Sequence, residues 1–150
     1  MDTELSIKLV ERDWAALAAQ CSRLDLGQPR RLDLDVFITV PVAEATEQFV
    51  AVLECDEYDA LAPLLDFTDP EVPTRRGAPY WPKFADAPMN SVTVGTRTVP
   101  ILCTPGTRGY HLHQSHHAEH FERTTWPLAR SATLLWRLTH EMGSYEGRGV

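Results

Sequence analysis

A chain of 150 residues, 43% hydrophobic and 23% charged, has the size and composition of one globular domain with its own core, and excludes a fibrous or disordered polymer. Its formal net charge of -7 argues against binding through nucleic-acid phosphates, which requires a clustered basic surface, and favours a protein or small-molecule partner. No signal-like segment opens the sequence and no run approaches the roughly twenty apolar residues of a membrane helix, so a cytoplasmic protein without a membrane partner is expected. Three widely spaced cysteines make no disulfide framework and fit a reducing compartment.

From Leu5 to Leu24, the apolar residues Val10, Trp14, Leu17, Ala18, Cys21 and Leu24 recur at three- and four-residue steps, predicting an amphipathic helix that ends near Gly27 and Pro29. Leu32, Leu34, Val36, Ile38 and Val40 then alternate with Asp33, Asp35, Phe37 and Thr39, the period-two signature of a half-buried strand. A second strand is expected in EQFVAVLEC, a third between Leu64 and Phe67, and at least one more in SVTVGTRTVPIL, interrupted at Gly95.

Between these last two lies DPEVPTRRGAPYWPKFADAPMN, whose five prolines predict a long irregular crossing pinned to the sheet by Tyr80, Trp81 and Phe84. A second helical face begins at Trp126 or Pro127 and runs through Leu128, Ala132, Leu135, Leu138, Thr139 and Met142. Gly143 stops it, so the expected organisation is one domain over residues 1–143 with a flexible tail at 144–150. The fold class is α+β, an antiparallel strand meander backed by helices.

Chemistry-bearing residues concentrate in ILCTPGTRGYHLHQSHHAEHF, which holds one cysteine and five of the six histidines. Cys21 and Cys55 share apolar rows with neighbouring residues and are read as core. Cys103 ends an apolar run just before a turn sequence, where an accessible thiolate could act as a nucleophile. His113, His116, His117 and His120 have the spacing of one helix face. Two imidazoles four residues apart can share a zinc ion, with Cys103, His111, His140 or Glu119 available to complete a tetrahedron. General acid–base work beside Cys103 and a solvated polar loop are the alternatives. HExxH, a Ser-His-Asp order and a glycine-rich phosphate loop are all absent, and Gly106 and Gly109 read as ordinary turn residues.

The order of elements resembles the ubiquitin-conjugating enzyme (UBC-like) fold. VPILC, Val99 to Cys103, is similar to that family's run into its thioester cysteine; WPLARSATLLWRL resembles the tryptophan, proline and helix that follow; APLLDF is similar to its proline-led third strand. The resemblance implies that Cys103 carries a ubiquitin-like modifier received from an activating enzyme, with no cofactor required. The His-Pro-Asn signature of the family is missing, the histidine segment from Tyr110 to Phe121 looks like an insertion, and the family's last helices are lacking. These departures are similar to the divergent bacterial relatives encoded beside a ubiquitin-like protein, and imply that His111, His113 or a neighbouring histidine takes the asparagine's place. The alternative is a non-catalytic binding module of the same fold, with Cys103, His113, His116, His117 and His120 holding a structural zinc.

Overall fold

A computed structural model describes residues 2–87, 90–102, 104–113 and 119–150. The first helix, α1 (Thr3–Arg23), is opened by Asp2, whose side chain accepts the Leu5 amide, and ends where Asp25 turns into the left-handed region at φ 55°. Its buried face, Leu9, Val10, Leu17 and Cys21, is the one that the periodicity predicts.

The next segment differs from expectation. The alternating run is split into β1 (Arg30–Leu32) and β2 (Asp35–Val40) by a tight turn at Asp33, φ 53°. Leu32 is left 66% exposed, and the half-buried alternation starts only at Leu34. Aspartate tolerates this backbone better than most residues, so one polar residue in the row also served as the turn.

β3 (Phe49–Glu54) and β4 (Leu64–Thr68) complete a four-stranded antiparallel sheet in the order β1-β2-β3-β4. On one face Val36, Ile38, Phe49, Ala51, Leu53 and Phe67 meet α1 and the last helix, α3 (Ala129–His140), in a single core. Leu128, Ala132, Leu135 and Leu138 bring the α3 side of that core. On the other face Phe37, Val50 and Val52 form a smaller cluster, and Val52 pairs with Asp66 of β4.

Asp66 is fully buried. Its carboxylate accepts from Trp81 Nε1 (2.8 Å), the Phe67 amide (2.8 Å) and Arg97 Nη1 (3.0 Å). Burial pushes its pKa above the usual carboxylate range, against the pull of these three donors. Arg97 also reaches Glu54, which Arg76 shares at 3.2 Å while bonding Asp35 at 2.8 Å. Two guanidiniums thus bind three carboxylates on the outer face of the sheet. The crossing runs along the otherwise open edge of β4, with Gly77 donating to Phe67 O and Asp69 to Arg75 O. Trp81, completely buried, packs against Phe67 with ring centroids 4.9 Å apart, so the aromatics pin the crossing as expected.

Within the crossing lies an unanticipated strand, β5 (Pro82–Phe84), and its partner is the segment read as a flexible tail. Tyr145–Arg148 forms β8, antiparallel to β5, with Tyr145 against Phe49 and Phe84 and its hydroxyl donated to Glu47. The segment therefore belongs to the domain, because Tyr145 supplies an aromatic anchor that local composition understates. The run SVTVGTRTVPIL makes two strands, β6 (Asn90–Val94) and β7 (Arg97–Ile101), hinged at Gly95, φ 62°. Among the described residues no helix is long and apolar enough to cross a membrane.

Two predictions follow the energetics of this core. Asp66→Ala removes the acceptor of Trp81 and one partner of Arg97, and urea denaturation should show a loss of about 3–5 kcal/mol, the range for breaking a buried ion pair; Asp66→Asn, which keeps an acceptor, should lose less. Burial raises the thiol of Cys21 from its ordinary 9.0 to about 11. Its contribution is full below pH 9.0 and is lost as the pH rises toward 11, because the unfolded thiol ionises first. The stability of the native chain relative to Cys21→Ala should therefore fall across that interval.

Candidate functional site

β7 brings the chain to Ile101, buried, and Leu102, half-buried. Cys103 lies outside the described residues, as do His116 and His117 of the predicted metal set; the site is therefore built from its flanks. Beyond Cys103, the Thr104 amide donates to Leu102 O (2.8 Å) and the Thr107 amide to Thr104 O (3.2 Å). Thr107 caps the short helix α2 (Arg108–Leu112), its hydroxyl oxygen accepting the Tyr110 amide at 3.4 Å.

Four contacts hold this loop in place. The Arg108 amide donates to Pro63 O (2.8 Å), and its guanidinium reaches Ala62 O (3.1 Å), Glu54 O (3.1 Å) and the Asp56 carboxylate (3.0 Å), tying α2 to the β3–β4 connection. Gly109 lies so close to Ile101 that a β-carbon would come within 2.4 Å of Ile101 Cγ2. Gly106 lies against Trp126, where a β-carbon would meet Cε3 at 2.7 Å. Gly106 lies in the turn from Thr104 to Thr107, as read, whereas Gly109 lies inside α2; neither has a positive φ, and both are needed for close approach. The fourth contact is made by His111.

Its Nε2 lies 2.8 Å from Pro105 O and its Nδ1 3.0 Å from Glu119 O, while Tyr110 donates its hydroxyl to the Glu119 carboxylate at 2.7 Å. His111 thus braces the loop after Cys103 against the chain returning from the histidine segment. Both its neighbours are acceptors, and a neutral imidazole carries a single N–H, so the neutral ring satisfies one of the two carbonyls.

α2 ends at Leu112, its cap His113 is extended at φ -67°, ψ 136°, and His120 lies outside any helix. Of that row, His113 and His120 are thus outside a helix, and His116 and His117 lie outside the described residues. His140, a further candidate ligand, sits on α3 stacked on Trp136 with ring centroids 4.5 Å apart and its Nδ1 2.9 Å from Trp136 O. Among the described residues no three histidine, cysteine or acidic side chains come together in a way that could hold a metal. Cys21 and Cys55 are fully buried free thiols, as the periodicity implied, and burial raises the pKa of each.

Sequence reasoning missed Arg108, whose partners lie more than forty residues away and leave no local pattern. It also missed Arg123, which donates to the carbonyls of Tyr58 (2.9 Å) and Asp59 (2.7 Å) and fixes the return segment against the start of α1's neighbourhood.

Gly109→Ala tests the clamp. Ile101 Cγ2 is fixed to a branched β-carbon within a strand and cannot swing aside, so the substitution should cost about 1–3 kcal/mol in urea denaturation. Gly106→Ala should cost less, since Trp126 is only half-buried.

No family model matches the chain, and no curated protein matches it, so the reading of its function rests on its own residues and their arrangement.

Proposed function

We propose that this chain is a divergent, UBC-like conjugating protein of bacterial type, acting in the cytoplasm, which receives a ubiquitin-like modifier on Cys103 as a thioester and passes it to an acceptor. The observation that carries the reading is the order of elements. An N-terminal helix, an antiparallel four-stranded meander, a proline-rich crossing pinned by Trp81 and a strand ending at Ile101 lead to the cysteine, and a long helix follows.

In the proposed reaction the Cys103 thiolate attacks the thioester carbonyl held by an activating enzyme. A new carbon–sulfur bond forms, the old one breaks, and the activating enzyme's cysteine leaves as its thiolate. Such an exchange is nearly isoenergetic, so the chain has to supply an accessible thiolate and a fixed position for it. The clamp of Arg108 and Gly109 favours this reading, since it holds the flank of Cys103 to the sheet, while His111 braces the loop against the returning segment. An acceptor amine or hydroxyl then attacks the carbonyl carbon, its bond to that carbon forms, the carbon–sulfur bond breaks and Cys103 leaves as its thiolate. His113, His116 and His117 are the imidazoles proposed to take its proton or steady the oxyanion. His111 would first have to leave its two carbonyls.

Incubation with an activating enzyme, ATP and a ubiquitin-like modifier should give an adduct that reductant cleaves and that Cys103→Ala cannot form. An adduct that persists in Cys103→Ala would overturn the proposal. Elemental analysis of untagged protein serves the zinc alternative: a full equivalent of tightly held zinc, with unfolding on chelation, would assign Cys103 to a closed metal site.

A further inference from the structure

The two outer edges of the four-stranded sheet differ. β4 is covered by the crossing, whereas among the described residues the outer edge of β1 takes no backbone hydrogen bond from another segment. In an antiparallel pair alternate residues turn their amide and carbonyl away from the neighbour, so the open side of β1 carries unpaired backbone groups. The register sets which side chains flank them. Arg30 lies opposite Phe37 and Leu32 opposite Asp35, on the outer face that holds Phe37 and Val50. Arg31 lies opposite Val36 on the face toward α1, where it reaches Glu11 at 3.3 Å.

A depression borders β1 on each face. On the outer face Leu32, Phe37, Val50, Pro70 and Pro73, together with Arg30, line one of about 260 Å³, and no acidic side chain lines it. On the α1 face Glu11, Trp14 and Arg31 line one of about 270 Å³. Both fall below the roughly 300–1,000 Å³ of small-molecule pockets and suit single side chains. Arg30 is exposed and makes no ion pair among the described residues, and Leu32 is 66% exposed.

An open edge with a side-chain-sized depression on either face matches strand addition, in which main-chain hydrogen bonds supply affinity and alternate side chains supply specificity. We propose that β1 receives an extended segment of a partner protein as a fifth strand, with an acidic residue opposite Arg30 and, two positions along, an apolar residue opposite Leu32. Charge complementarity selects this occupant over a second copy. Two copies joined edge to edge would bring Arg30 and Arg31 of each into one short ribbon, and like charges across a strand pair destabilise it. Asp33, in the turn just beyond Leu32, repels acid there, so the acidic residue belongs at the Arg30 end. The inference stands on β1 and its neighbours and is independent of the thioester reading.

The probe is a labelled, threonine-rich peptide carrying a glutamate and a leucine two positions apart. It is compared with a peptide in which lysine replaces the glutamate, and with versions methylated on every second backbone amide in each of the two registers. Fluorescence anisotropy measures affinity for the full chain and for Arg30→Glu, and hydrogen exchange follows the β1 amides. The glutamate peptide should bind saturably and protect β1, and one of the two methylated registers should lose binding. Arg30→Glu should weaken binding of the glutamate peptide on the order of tenfold and turn the preference to the lysine peptide, a gain that a misfolded variant does not give. Absence of saturable binding at millimolar peptide, binding that Arg30→Glu leaves unchanged, or binding without protection of β1 would overturn the proposal. So would protection of β1 that rises with protein concentration in the absence of peptide, which assigns the edge to a second copy.

Discussion

The buried Asp66 carboxylate is the point on which the rest of the structure depends. Desolvating a charge costs several kcal/mol, so it is tolerated only where donors replace the lost water. Here the donors come from three places: the adjacent amide in β4, Trp81 in the proline-rich crossing and Arg97 in β7. Displacing any of them leaves the buried Asp66 carboxylate one donor short. The crossing, the β6–β7 hairpin and the sheet are therefore locked in one arrangement, and the extended Glu54, Arg76 and Asp35 network spreads the same constraint across the outer face.

That lock determines where the proposed thioester position can be. Arg97 opens β7, and Ile101 at its other end is the surface on which Gly109 closes. The candidate cysteine is thus approached from one side by a strand whose register is set by a buried ion pair, and left on the other by a loop held through Arg108, Gly106 and His111. Rigid flanks serve a reaction that needs positioning more than chemical force.

Much of this framework was legible along the chain. The faces of α1 and α3, the strands around Phe49 and Leu64, and the pinning role of Trp81 follow from periodicity and from the cost of exposing large apolar side chains. The turn at Asp33 was not, because an aspartate in an alternating run satisfies a polar strand position and a left-handed turn equally well. Nor was β8, whose four residues become a strand only against β5 and whose Tyr145 finds its partners in Phe49 and Phe84. The histidine row was read at helical spacing; α2 stops at Leu112, and His116 and His117 lie outside the described residues.

By itself, the sequence determined the amphipathic faces, the breaks at proline and glycine, and the burial of Cys21 and Cys55, since each is a property of residue type and local spacing. Only the tertiary structure decided that Asp66 is interior, that Arg108 anchors α2 to the β3–β4 connection, that Gly106 and Gly109 exist for close approach, and that His111 is a brace. Those roles depend on partners brought together by the folded sheet from distant parts of the chain, and no local pattern encodes which distant carbonyl, ring or carboxylate a side chain will meet.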